Sequence, residues 1–294
     1  MQSFKGLLAA VCAFSLWGFL PVYWKQLEKF PAQVILCHRM IWSLFVTLAL
    51  LLVFRRMNTF ISALKQRENL KSYTLTALLL SVNWFLFIWS VNSGFIVEAS
   101  LGYFITPLIN VFFGMIFFQE KMRPMQLLAL SFAFLGVLYL TLVYGRFPWI
   151  ALILAVTFAL YGFYHKKNRM PALDGLCLET LVLALPAIVL LTLLSLTSQQ
   201  SYQVSASDIV LLMGCGVATT APLLFFGFAA QNIHLSSLGM LQYLSPTINL
   251  ILGIFVYGEE FPHARFVGFL LIWLALALFV GEGVLVRFRH RIKP

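Results

Sequence analysis

Two stretches of a very apolar chain carry the same polar residues at the same spacing. Residues 107–120, PLINVFFGMIFFQE, and residues 246–259, PTINLILGIFVYGE, lie 139 positions apart and share Pro, Ile, Asn, Gly and Glu in register. Pro107 and Pro246 each remove a backbone donor and free a carbonyl in the preceding turn. Asn110 and Asn249 place an amide one turn further on. Groups of this kind inside apolar helices need internal partners, so the repeated pattern marks a place where a polar ligand can be held. Tyr103 and Gln242 are counted with these residues as candidate cavity positions, and Glu120 and Glu259 are read as boundary and capping residues.

Charge inside apolar runs narrows the search further. Arg39, with His38 beside it, and Glu179 each fall near the start of a long apolar run. A charged side chain at mid-helix in lipid costs about 2.5–3.5 kcal/mol on insertion scales and marks function by default. Arg39 and Glu179 either attract one another or hold a ligand, Arg39 being suited to an anionic group; the alternative is snorkelling to the headgroups. Asn83, Trp84 and Trp89 lie within one run, where Asn83 needs a partner and the indoles can line an aromatic cavity or simply pack. Trp17 and Tyr161 occupy matching places, each followed by a glycine that permits close helix approach. Glu98 opens an apolar run, where it suits the positive end of that helix's dipole, and is a second candidate for carrying a proton beside Glu179.

The elements that position these residues follow from composition. The chain is 61% hydrophobic and 10% charged, with mean hydropathy +0.92, far from the quarter charged of an ordinary soluble domain. Apolar runs at 5–24, 33–54, 72–92, 97–118, 124–144, 147–164, 175–196, 208–230, 236–257 and 264–286 are each long enough to cross a bilayer as a helix. The predicted fold is an all-α polytopic membrane protein of ten transmembrane helices. The first run lacks a small-residue cleavage site and reads as a retained span rather than a signal peptide. Fifteen Lys and Arg residues fall on one side of the predicted topology and four on the other, which places both termini in the cytoplasm. The net charge of +10 is then explained by loops facing anionic headgroups, and no nucleic-acid partner is expected.

The repeat extends along the chain. FSLWGF at 14–19 returns as FALYGF at 158–163, LCHR at 36–39 as LCLE at 176–179, and ASLG at 99–102 as SSLG at 236–239. Two units of five spans result, residues 1–145 and 146–294. Five crossings put the second unit on the opposite side of the membrane, so the two are inverted. Inverted repeats recur in secondary transporters, with the solute held near the midplane between them.

These strings also resemble a known family. The paired five-span units look like EamA units of the drug/metabolite transporter superfamily. HRMIWS (38–43), NWFLFIWSVN (83–92), EASLGYFITPLIN (98–110) and YGFYHKK (161–167) resemble the RarD subfamily. The resemblance implies a bacterial inner-membrane permease with a central cavity, moving metabolites, amino-acid-like solutes or amphipathic drugs, of a subfamily described as chloramphenicol-sensitivity or chloramphenicol-resistance permeases.

Other chemistry is unsupported by the residues. Cys12, Cys37, Cys177 and Cys215 stand alone in apolar runs, with no metal-ligand spacing. His165, His234, His263 and His290 fall in or near predicted loops and are not read as ligands. No phosphate-binding loop or catalytic constellation appears, so no cofactor and no enzymatic activity are expected. A membrane-embedded enzyme and a channel are the alternatives. The expected partners are a small-molecule solute, the lipid bilayer and a proton gradient, the chain acting as a monomer or loose homodimer.

Overall fold

The computed structural model describes residues 3–168, 170–197, 204–258 and 263–292, with backbone alone at 197, 263–265, 284 and 287–292. Glu259 lies outside the described residues. The helices run α1 (Phe4–Lys25), α2 (Ala32–Val53), α3 (Met57–Leu64), α4 (Arg67–Asn92), α5 (Ile96–Phe117), α6 (Pro124–Tyr144), α7 (Trp149–Lys167), α8 (Ala172–Thr197), α9 (Ala206–Asn232), α10 (Leu235–Gln242), α11 (Leu244–Phe255) and α12 (His263–Ile292). Among the described residues, ten crossings are long and apolar enough for a membrane, α10 and α11 together making the ninth. The short α3 lies in a segment expected to be a loop; it buries Phe60 and leaves most of its other residues exposed or half-buried.

Local chemistry sets the helix ends. Pro124 opens α6, where its missing N–H is no loss, and the Gln126 side chain accepts from the Arg123 N–H at 3.0 Å. Gly145 closes the same helix at φ 73°, a conformation that favours glycine. Ser205 and Asp208 form a reciprocal capping box at the start of α9.

Eight crossings form the body of the bundle. In it α1 packs on α9 and α11, α2 on α8 and α9, α4 on α7 and α8, and α5 on α7 and α10. The remaining two, α6 and α12, form a pair beside α5. A Cβ on Gly136 would lie 2.9 Å from the Gly268 carbonyl oxygen, so small residues let these two backbones approach closely. Large apolar side chains such as Phe85, Leu185 and Phe255 point outward and exposed, as a lipid-facing surface requires.

The two prolines behave differently. Interruptions at matching places in spans 4 and 9 were the expectation, but α5 runs unbroken through Pro107, and only the ninth crossing is divided, at Tyr243. Pro246 cannot donate to the Gln242 carbonyl, and the helix parts at that level. In α5 the turn before Pro107 is held by side chains instead. Thr106 Oγ1 donates to the Gly102 carbonyl at 2.7 Å, and Tyr243 Oη donates to the Phe104 carbonyl at 3.1 Å.

Candidate functional site

Arg39 sits about two turns into α2, and its side chain turns into the bundle. The guanidinium lies over the faces of two indoles, Trp24 at 4.8 Å and Trp84 at 4.6 Å, and Nε donates to Thr219 Oγ1 at 3.0 Å. Cation–π contact of this kind is worth more as water is removed. Tyr103, predicted as a cavity residue, is 47% exposed. Arg39 and Glu179 do not pair.

Glu179 sits equally far into α8 and is fully buried. Its Oε1 accepts from Thr76 Oγ1 at 2.5 Å and lies 2.8 Å from His165 Nε2, while Oε2 accepts from Tyr161 Oη at 3.1 Å. The carboxylate is therefore spent within the protein, not at a headgroup. Its partners explain why a buried charge is tolerated: each oxygen has a donor. Arg39 and Glu179 stand 140 positions apart, and their threonine partners, Thr219 and Thr76, stand 143 apart. Equivalent places in the two sequence units thus carry opposite charges, each bonded to a threonine at nearly equivalent offset. A small cavity lies between the two centres, lined by residues including Trp84, Thr219, Glu179 and Thr180, with room for about one water molecule.

Spans 4 and 9 meet beside this region. Asn110 Nδ2 donates to Gln242 Oε1 at 3.0 Å, both residues being buried. Gly239 packs against the turn of Pro107, where a Cβ would come 2.6 Å from the proline carbonyl oxygen. Farther along, Glu120 caps the first turn of α10, accepting from the Leu235 and Ser236 N–H groups at 2.7 and 2.9 Å, with Lys166 Nζ 3.6 Å away. Phe113, Phe117, Phe118 and Phe163 gather at the same end. Towards the other end, Tyr103 and Asn249, equivalent in the repeat to Gln242 and Asn110, are both exposed.

The EamA-like transporter family model matches this chain twice, at residues 4–142 and 148–281. The chain belongs to the EamA-like transporter family. Within that family it is of the RarD type in the drug/metabolite transporter superfamily. It is 42% identical over 284 residues to the uncharacterized transporter YojE of Bacillus subtilis (strain 168), covering 95% of each chain. It is 43% identical over 284 residues to Protein RarD of Salmonella typhi, covering 96% of this chain and 97% of the relative. A solved crystal structure matches with TM-score 0.71 at 19% identity, over 95% of this chain and 98% of that one, a likeness of fold alone. The chain is a multi-pass, transporter-type membrane protein.

Several predicted site residues of this EamA-type chain lie elsewhere than at the Arg39 and Glu179 centres. Asn83 is committed to α7, donating to the Leu154 carbonyl at 2.8 Å and to Thr157 Oγ1 at 2.9 Å. Trp89 stacks on Phe95 near the end of α4, away from Arg39. His38 accepts from Trp42 Nε1 on its own helix. Trp17 contacts Phe226, as does Tyr161 at the Glu179 centre, so their equivalence in sequence becomes a shared aromatic neighbour. Pro246 is half-buried in the first turn of α11.

One acid and one base hold roles that their positions did not suggest. Glu98 was expected to serve its own helix; it accepts instead from the Ile150 N–H and from Tyr144 Oη, both at 2.8 Å, and so caps α7. His165, expected near a loop, is buried against Glu179 with Nδ1 unpartnered. Trp24, Thr76 and Thr219 were missed. Only the last two carried a signal, their near-repeat spacing within spans 3 and 8. Among the described residues, no three His, Cys, Asp or Glu side chains lie close enough to hold a metal ion.

Proposed function

We propose that the chain is a secondary transporter of small amphipathic solutes in the bacterial inner membrane, working by alternating access between two inverted five-span units. The carrying observation is unequal treatment of equivalent residues. Asn110 and Gln242 are bonded and buried, whereas Tyr103 and Asn249 are exposed, so the crossing of spans 4 and 9 is closed at one end and open at the other. The packing pairs support the inversion: α1 on α9 is matched by α7 on α4, and α2 on α9 by α8 on α4. The lysine and arginine excess assigns the closed, Glu120-bearing end to the cytoplasm, with both termini there, and makes this an outward-facing arrangement.

In the opposite arrangement Tyr103 and Asn249 close together while Asn110 and Gln242 part. The His165–Glu179 pair is the proposed coupling point to a proton gradient, because it is a buried acid–base pair whose carboxylate residue borders the small cavity between the two centres. The test is flux in proteoliposomes with amino acids, chloramphenicol and other amphipathic drugs, and small metabolites, with and without a proton gradient. Saturable uptake that shows counterflow is expected. Folded protein that moves none of these classes, or passes them without saturation, would sink the proposal.

A further inference from the structure

We infer that Arg39 with Trp24 and Trp84 forms an anion subsite, and that the solute it takes is a carboxylate on an apolar, preferably aromatic, body. The inference deepens the transport reading and rests on it for the word solute, but the binding chemistry stands on Arg39 itself.

A guanidinium cannot shed its proton in a protein, so Arg39 carries a full charge within a span. The chain's described acids are placed elsewhere. Asp208 pairs with Lys29, Asp174 with Arg56, Glu282 with Arg123 and Glu179 with His165. Glu120 is committed to α10 and Glu98 to α7, while Glu28 and Glu68 are exposed ahead of α2 and at the start of α4. Two indole faces and one hydroxyl relieve the charge without neutralising it.

With Nε on Thr219, the two terminal nitrogens of the fork remain. That geometry matches a carboxylate, which accepts two parallel N–H donors. The surroundings choose the rest of the molecule. Trp84 supplies a flat wall, and the Trp17, Phe14 and Phe226 rings form a contiguous aromatic cluster deeper in the bundle.

The test uses the purified full-length protein in detergent, with phenylacetate and benzoate against their uncharged amides, read by thermal stabilisation and calorimetry. The acids are expected to bind and the matched amides to bind about tenfold more weakly or worse. Arg39→Gln is expected to remove the preference for acid. Arg39→Lys, which keeps the charge and serves as the variant safest for folding, is expected to weaken acid binding while retaining some preference, because a point charge replaces the fork. Equal binding of acid and amide, no binding of either acid, or undiminished acid preference in folded Arg39→Gln overturns the subsite. Acid binding without any flux leaves the subsite standing and removes transport; flux without acid preference does the reverse.

Discussion

The Tyr243 hydroxyl donates to the Phe104 carbonyl at 3.1 Å, and the two residues stand 139 positions apart, the spacing at which the chain repeats. Residues at equivalent places in the two units therefore meet each other, as expected on a twofold axis. Only one direction of this contact is possible, since phenylalanine has no hydroxyl to return.

Tyr243→Phe keeps the ring and deletes that donor. The Phe104 carbonyl, in the turn before Pro107, is left with weaker satisfaction, and a loss of about 1 kcal/mol of stability is expected. Unfolding in mixed micelles measures it. A variant as stable as the parent would show that the bond contributes nothing.

Glu120 holds two N–H groups of α10 at the end proposed to be closed. Glu120→Ala removes charge-assisted bonds of about 1.5–3 kcal/mol each. Hydrogen exchange in the peptide covering 233–240 is expected to accelerate by roughly ten- to a hundredfold. Unchanged exchange there would mean that this cap does not restrain the cytoplasmic side.

Glu179→Leu strands the hydroxyls of Thr76 and Tyr161 together with His165 in a buried place. A loss of about 3–5 kcal/mol is expected, with poor recovery of folded protein. Glu179→Gln preserves an acceptor and most of the shape. It is expected to fold, to keep counterflow and to lose accumulation driven by a proton gradient. Gradient-driven accumulation at the parental level would place coupling elsewhere.

Asn83→Ala separates packing from transport. Its amide joins α4 to α7 through two bonds, so a cost of about 1–2 kcal/mol is expected, with the half-saturating solute concentration unchanged. A changed half-saturation with intact stability would return Asn83 to the binding site.

The ten crossings were legible because apolar run length alone reports them, and α3 was not, because eight residues pinned by one phenylalanine leave no such trace. Arg39 and Glu179 could be singled out by charge, yet Trp24 and His165 could not be matched to them, since these arrive from other helices. The capping of α7 by Glu98 escaped for the same reason: a carboxylate near one helix start also reaches the start of another. Least legible was the difference between Asn110 and Asn249. Asn110 meets Gln242, whereas the repeat equivalent of Gln242 is Tyr103, so the burial of one asparagine and the exposure of the other is not written in the repeated residues themselves.

The joint at Tyr243 has a kinetic meaning. One arm of the crossing is divided and the other, α5, is continuous, so under the proposed alternating access the empty protein does not regard the two faces of the membrane as alike. A carrier that rests on one face must spend part of the solute's affinity turning to the other. Half-saturation measured from the two sides is therefore expected to differ even though one set of residues does the binding, while the ratio of maximal rate to half-saturation stays equal without a driving gradient. Sidedness in this protein would then be written into the stiffness of a helix and not into the shape of its pocket.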